Sequence, residues 1–204
     1  MEIIEPSVEV IDSTDELQVL TKLEACGRTA YKSEDKITKG SAEKFIRSII
    51  KSGHGSVLEH VNITVKFICD RGVTHELVRH RIASYTQEST RYCNYSKKGV
   101  VFILPPWGFT TDDIAFLNRV EYQYNKKIVE GQTPQQARAY LPNCLKTEIV
   151  TTMNVREWRH VLGLRTKPDC HPQMRQIMTI LLREFKAKLP LLFEDINEID
   201  NGKL

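Results

Sequence analysis

Long hydrophobic runs are missing from this chain of 204 residues, and none approaches the roughly 20 apolar residues that a transmembrane helix needs. The segment from Met1 to Pro6 is acidic and has neither the basic nor the apolar region of a signal peptide. Internal repeats and low-complexity segments are absent as well. We therefore expect a cytoplasmic protein without a membrane segment, built as a single domain that covers residues 1–204.

Cysteines are few, scattered and odd in number, and none stands in a Cys-x-x-Cys spacing. The five are Cys26, Cys69, Cys93, Cys144 and Cys170. This pattern argues against both a disulfide framework and a cysteine-rich zinc site, so we expect reduced thiols.

A strong charge bias is lacking too. The 29 basic residues against 26 acidic ones give a net charge of +3, which does not by itself indicate a nucleic-acid-binding protein. A Gly-x-Gly-x-x-Gly turn between a strand and a helix is also absent, which argues against a Rossmann fold.

Helical and strand patterns alternate along the chain. Alternating apolar residues at 61–67 and β-branched residues at 146–153 predict strands, and we expect further strands at 8–12, 92–95 and 99–104. Apolar residues three and four apart predict helices at 42–50, 111–131, 155–165 and 174–189, and Ser13 with Glu16 predicts a capped helix start. The sequence therefore predicts an α+β fold.

The segment 79–92 holds the densest group of polar functional side chains. Arg79, His80 and Arg81 fall in the last turn of a helix predicted at 73–81, where consecutive side chains leave the axis about 100° apart. They cannot share one face, so at least one must turn away from bulk solvent or into a neighbouring subunit. Ser89 and Arg91, two apart in a segment predicted to be extended, would point the same way and suit a phosphate group.

Arg79-His80-Arg81, seven further residues and then Ser89 resemble the signature of the flavin-dependent thymidylate synthases, and Ser84-Tyr85 and Arg91-Tyr92 resemble that family too. The resemblance extends from about Arg28 to about Phe193. It implies a methyltransferase that converts dUMP to dTMP, with the carbon from 5,10-methylenetetrahydrofolate, which leaves as tetrahydrofolate. The hydride would come from tightly bound FAD that NADPH reduces.

The same resemblance implies a central antiparallel sheet with long helices, in a homotetramer whose active sites lie between subunits. It also implies the site residues. FAD would be held by Ser56, Arg79, His80, Arg81, Gln87, Asn154, Arg156 and His160. The dUMP would be held by Glu76, Arg79, Gln87, Ser89, Arg91, Arg138 and Arg165. Arg165 would be catalytic, stabilising the negative charge that develops on the N3/O4 side of the uracil ring.

Three positions depart from the family pattern. Glu76 stands where glutamine is expected, Gln87 where glutamate is usual and His160 where asparagine is usual. The first two resemble an amide and a carboxylate that have exchanged places. Our hypothesis is that the exchange preserves the local charge if both side chains line one site.

Other interpretations of these residues remain open. Cys170-His171 superficially resembles the nucleophile of conventional thymidylate synthases. The arginine-rich signature could also contact the phosphates of a nucleic acid, although the basic positions are dispersed among apolar residues, as in an enclosed pocket.

Single side chains leave choices open as well. Arg138 either reaches water or holds an anion. A metal site at His54, Glu59 and His60 matches no common zinc spacing, so we expect no metal.

Overall fold

The computed structural model describes residues 1–12 and 15–197 of the chain. Its strands are β1 (Glu2–Ile4), β2 (Ser7–Val10), β3 (Asn62–Asp70), β4 (Ser84–Gln87), β5 (Val101–Ile103) and β6 (Lys146–Asn154). Its helices are α1 (Glu16–Thr29), α2 (Ser41–Lys51), α3 (Arg71–Leu77), α4 (Thr111–Val129), α5 (Pro134–Ala137), α6 (Val155–Arg165), α7 (Pro172–Lys188) and α8 (Pro190–Phe193). Short 3₁₀ helices lie at Glu34–Lys36, Gly55–His60 and Arg138–Tyr140.

Four strands form an antiparallel sheet in the order β2-β3-β6-β4, and β1 and β5 pair as a separate parallel ribbon. The longest pairing joins β3 to β6, from Asn62 opposite Asn154 to Asp70 opposite Lys146. The prediction of an α+β fold with a central antiparallel sheet and long helices is therefore confirmed.

One face of this sheet carries the main core. Ile63, Val65 and Phe67 alternate along β3 and are at most 1% exposed, as their spacing predicts. Helices α1, α2, α6 and α7 cover them, and Trp158 of α6 also donates its indole N–H to the carbonyl of Ile63 at 2.9 Å. This bond fixes α6 against the sheet.

A second apolar cluster joins α4, α5 and β5. Its buried members are Val100, Phe102, Leu117, Val120, Tyr124, Ala137 and Leu145. Among the described residues, every helix falls short of the length and apolarity that crossing a bilayer requires.

Two predicted elements around the signature differ from the structure. The helix expected at 73–81 ends at Leu77, so Arg79, His80 and Arg81 lie in the turn that follows α3. The strand expected at 92–95 is a turn, because the N–H groups of Tyr92 and Cys93 both donate to the carbonyl of Ser89. Such local bonds compete with strand pairing.

The N-cap of α1 is Asp15. The predicted cap Ser13 lies outside the described residues, and the Asp15 side chain caps α1 by accepting from the Leu17 N–H at 2.9 Å.

Tyr85 ties β4 to the turn after α3. Its hydroxyl lies 2.8 Å from the carbonyl oxygen of Leu77 and 2.5 Å from that of His80. We expect Tyr85→Phe to lower the free energy of unfolding by about 1–2 kcal/mol, because two partly buried carbonyls lose their donor. Calorimetry should then show a melting temperature lower by about 2–8 °C. Tyr31→Phe, at a side chain 63% exposed, is the control and should leave the melting temperature unchanged. Equal melting temperatures for both variants would contradict the role of Tyr85.

Candidate active site

The turn after α3 separates the three signature side chains. The N–H groups of Arg79 and His80 continue the helical bonding by donating to the carbonyls of Glu76 and Leu77. The His80 side chain turns inward and the residue is 8% exposed, whereas Arg79 and Arg81 are exposed. This confirms the prediction that the three cannot share one face.

The start of α6 forms one wall of a cavity. Asn154 ends β6 and caps α6, with its side chain accepting from the Glu157 N–H at 2.8 Å. The cavity holds about 370 Å³ and is lined by Glu59, Ile82, Asn154, Arg156, Glu157 and His160. Three of the predicted FAD residues, Asn154, Arg156 and His160, therefore line one space.

Arg156 crosses the 3₁₀ helix that precedes β3. A Cβ atom on Gly55 would lie 3.0 Å from Nε of Arg156, so the missing side chain leaves room for the guanidinium. The guanidinium then reaches Glu59 at 2.5 Å, with both side chains largely exposed. Ser56, the next predicted FAD residue, is exposed beside Gly55 on the same 3₁₀ helix.

Arg165, the last residue of α6, lies against the end of α3. Its Nε donates to Nε2 of His80 at 3.0 Å, and its Nη1 donates to Oε2 of Glu76 at 3.1 Å. The structure thus brings together the predicted catalytic residue, a predicted FAD residue and a predicted dUMP residue.

His80 is neutral at physiological pH. Burial, followed by the nearby charges of Arg165 and His160, lowers the pKa of its imidazole from 6.5 to about 4. Because Arg165 donates to Nε2, the proton of the neutral ring lies on Nδ1. Nδ1 is 3.9 Å from Glu157, and with a neutral ring this contact is not an ion pair.

His80, Glu157 and His160 offer potential ligand atoms that lie within 4.8 Å of one another. A metal at His80 would have to displace the Nδ1 proton or the hydrogen bond from Arg165. The absence of a metal therefore stays our prediction.

The remaining predicted dUMP residues gather around the loop after β4. Ser89 and Arg91 lie in a tight turn, where the Ser89 hydroxyl accepts from the Arg91 N–H at 3.3 Å. They are not two positions along an extended strand. Arg138 reaches the same loop, because its Nη1 donates to the hydroxyl of buried Thr90 at 3.2 Å.

Gln87 has different partners from Glu76. Its amide donates to the hydroxyls of Thr74 at 3.0 Å and Thr147 at 3.2 Å. It also lines a cavity of about 700 Å³ over the open face of the sheet. In that cavity Lys146 pairs with both Glu88 and Glu148, so the charges largely neutralise one another.

Sequence reasoning missed two residues of the site, Glu157 and Thr90, and one contact, that of Cys170 with Arg165. Glu157, whose position three residues after Asn154 in the first turn of α6 was the available signal, lines the smaller cavity. Thr90 stands between two predicted residues. The Cys170 thiol hydrogen-bonds with Arg165, a contact that no local pattern indicates. Burial raises the pKa of this thiol above its usual value, which disfavours a nucleophilic thiolate.

A family model described as "Thymidylate synthase complementing protein" matches residues 9–191. Two curated relatives carry the name flavin-dependent thymidylate synthase. The one from Corynebacterium aurimucosum is 31% identical over 93% of this chain and 84% of its own length. The one from Pyrococcus furiosus is 34% identical over 79% of this chain and 70% of its own. This chain belongs to the flavin-dependent thymidylate synthase family.

A solved structure shares the fold. It is a UMP/dUMP methylase from Streptomyces cacaoi bound with 5-Br dUMP, with a TM-score of 0.76 and 25% identity. The match covers 95% of this chain and 96% of that one.

The lowered pKa of His80 has a consequence for stability. As the pH falls below about 6.5, the unfolded chain binds a proton at this histidine before the folded chain does. The stability that depends on neutral His80 is therefore complete above about 6.5 and is lost as the pH falls toward about 4. When the pH is lowered from about 7 to about 5, we expect the free energy of unfolding of His80→Asn to fall by about 1–2 kcal/mol less than that of the unmodified protein, because asparagine does not titrate.

Urea unfolding at the two pH values measures this difference. The control is the His54→Asn variant, at an exposed histidine. Its free energy of unfolding should fall by as much as that of the unmodified protein. A loss in His80→Asn equal to that of the unmodified protein would contradict a neutral, buried His80.

Proposed function

We propose that this protein is the methyltransferase that converts dUMP to dTMP, with 5,10-methylenetetrahydrofolate as carbon donor. FAD, once reduced by NADPH, supplies the hydride. The observation that carries the proposal is the contact of Arg165 with His80 and Glu76 beside the cavity at the start of α6, in a member of this family.

The turn after α3 offers cations to the phosphates of such a cofactor, directly before Ile82, which lines the cavity at the start of α6. In the described part of the chain, no carboxylate lies within salt-bridge distance of Arg79 or Arg81, so both guanidiniums are available to an anion. The neutral imidazole of His80 offers a hydrogen-bonding group without adding charge. We propose that FAD is held by Ser56, Arg79, His80, Arg81, Gln87, Asn154, Arg156 and His160.

The substrate site requires cations at both ends of dUMP. We propose that Ser89, Arg91 and Arg138 hold its phosphate, because the Arg138–Thr90 bond brings two guanidiniums and a hydroxyl to one loop. Glu76, Arg79, Gln87 and Arg165 then complete the site. Arg165 is partly buried and held by Glu76, His80 and Cys170, so its charge is preorganised to stabilise an electron-rich uracil ring.

Within one chain these residues form two groups, one at the ends of α3 and α6 and one on the loop after β4. We propose a single domain that assembles as a homotetramer with active sites between subunits, so that different copies contribute the two groups. Exposed Phe116, Tyr122 and Val129 on α4 offer apolar surface for such contacts. We also propose a cytoplasmic location, which five free cysteines support.

The visible absorption spectrum of the purified protein tests the proposed function. We expect an oxidised-flavin spectrum that NADPH bleaches under anaerobic conditions, faster when dUMP is present. A colourless protein that also fails to take up added FAD would overturn the proposal. That outcome would favour a Cys170-dependent synthase or a nucleic-acid-binding protein instead.

Arg165→Ala tests the catalytic role. We expect the variant to keep bound FAD but to lose turnover by at least about a hundredfold, the scale for removing a preorganised charge. Turnover of dUMP and the flavin spectrum are measured on the same sample. Arg47→Ala on α2, which removes an exposed guanidinium paired with Glu43, is the control and should keep full turnover. Near-normal turnover in Arg165→Ala would contradict the assignment.

A further inference from the structure

Glu88 begins the loop after β4, between Gln87 and Ser89. Its backbone N–H donates to the carbonyl of Glu148 at 2.8 Å, which extends the pairing of β4 with β6 by one residue. Its carboxylate lies on the open face of the sheet, and the side chain is 16% exposed. Glu88 is therefore the point at which the loop leaves the sheet.

Two donors hold this carboxylate. The Lys146 ammonium donates to Oε2 at 3.1 Å, and the Tyr95 hydroxyl donates to Oε1 at 2.7 Å. Because Tyr95 lies seven residues farther along the chain, its bond to Glu88 closes the loop at its base. The backbone N–H of Tyr95 in turn donates to the hydroxyl of buried Tyr124 at 3.3 Å, so the second apolar cluster anchors that end of the loop.

The sheet holds the start of the loop from both faces, because successive side chains of a strand point to opposite faces. The Gln87 amide donates to the Thr147 hydroxyl on the core side, where Thr147 is 1% exposed. The Glu88 carboxylate instead reaches Lys146 on the open side. The direction in which the loop leaves β4 is therefore fixed.

The Lys146 ammonium also balances the charge of Glu88. A bare carboxylate directly before Ser89 would repel the phosphate of a nucleotide. Lys146 pairs with Glu148 as well, at 2.5 Å, and Lys66 pairs with Glu148 at 2.6 Å. Two carboxylates thus face two ammonium groups, so Glu88 can fix the loop without adding net negative charge beside it.

We propose that Glu88 is a positioning residue for dUMP. Held by Lys146 and Tyr95, it keeps the loop in the conformation that presents Ser89 and Arg91 to the phosphate. This inference rests on the proposed function, which places the phosphate at this loop. Binding groups that are already in place improve affinity, because less conformational freedom is lost when the ligand binds.

Glu88→Gln tests this role in the FAD-loaded full chain. A carboxylate accepts from both donors, whereas an amide has one accepting oxygen and turns its NH2 group toward the other donor. We expect the KM for dUMP to rise at least about fivefold, because the loop loses one of its two ties. The kcat at saturating dUMP, the FAD content and the KM for 5,10-methylenetetrahydrofolate should stay within about twofold, because losing a contact made equally in the ground and transition states raises KM alone.

Lys146→Met removes the other tie and leaves Glu88 without its balancing charge. We expect the KM for dUMP to rise at least about fivefold here too. In the variant that combines both changes, the rise should be well below the product of the two single effects, because the two side chains act through one contact. A rise equal to that product would contradict a joint role. Lys66→Met, which breaks the neighbouring pair with Glu148 but does not touch Glu88, is the control and should keep the KM for dUMP.

The possible results separate the inference from the proposed function. A KM for dUMP that is unchanged in Glu88→Gln and in Lys146→Met, with turnover intact, would overturn the inference and leave the function standing. Variants that lose FAD and kcat as much as affinity for dUMP would also overturn it, since the contact would then only support the fold. An FAD-loaded unmodified protein that does not turn over dUMP would overturn the function itself.

Discussion

The pairing of β3 with β6 is the constraint on which the site depends. The two strands run antiparallel over nine paired positions, and each ends in a residue that caps the helix after it. Asp70 caps α3 by accepting from the Val73 N–H, and Asn154 caps α6 by accepting from the Glu157 N–H. Because the strands are antiparallel, these two helices begin at opposite ends of the sheet.

From these opposite ends the helices approach each other. A strand of this length spans about 30 Å, whereas α3 and α6 are about 10 Å and about 16 Å long. Their C-terminal ends therefore meet, which places Arg165, the last residue of α6, against Glu76 near the end of α3 and against His80 just beyond it. Two short helices thus build a contact between residues that are far apart in the chain.

The electrostatics of this meeting point follow from the same arrangement. Helix C-termini favour cations, and Arg79, Arg81 and Arg165 lie at or just after such ends. A fourth positive charge is excluded, because burial and Arg165 lower the pKa of His80 and keep its ring neutral. The result is a set of guanidiniums around a neutral imidazole, which suits ligands that combine phosphates with a polar ring.

Much of the fold and part of the site were predictable from the sequence. The alternation in β3 and the apolar spacing of α6 are local patterns, and the signature residues indicated the family from the sequence alone. The end of α3 and the turn at Ser89 were not predictable, because distant or competing hydrogen bonds decide them. Tyr85 ties down the carbonyls of Leu77 and His80, and the Ser89 carbonyl draws the chain into a turn. The tertiary structure alone decided that Arg165 meets Glu76 and His80 and that His80 is neutral, since contacts across more than 80 residues and the burial of a ring leave no local pattern in a sequence.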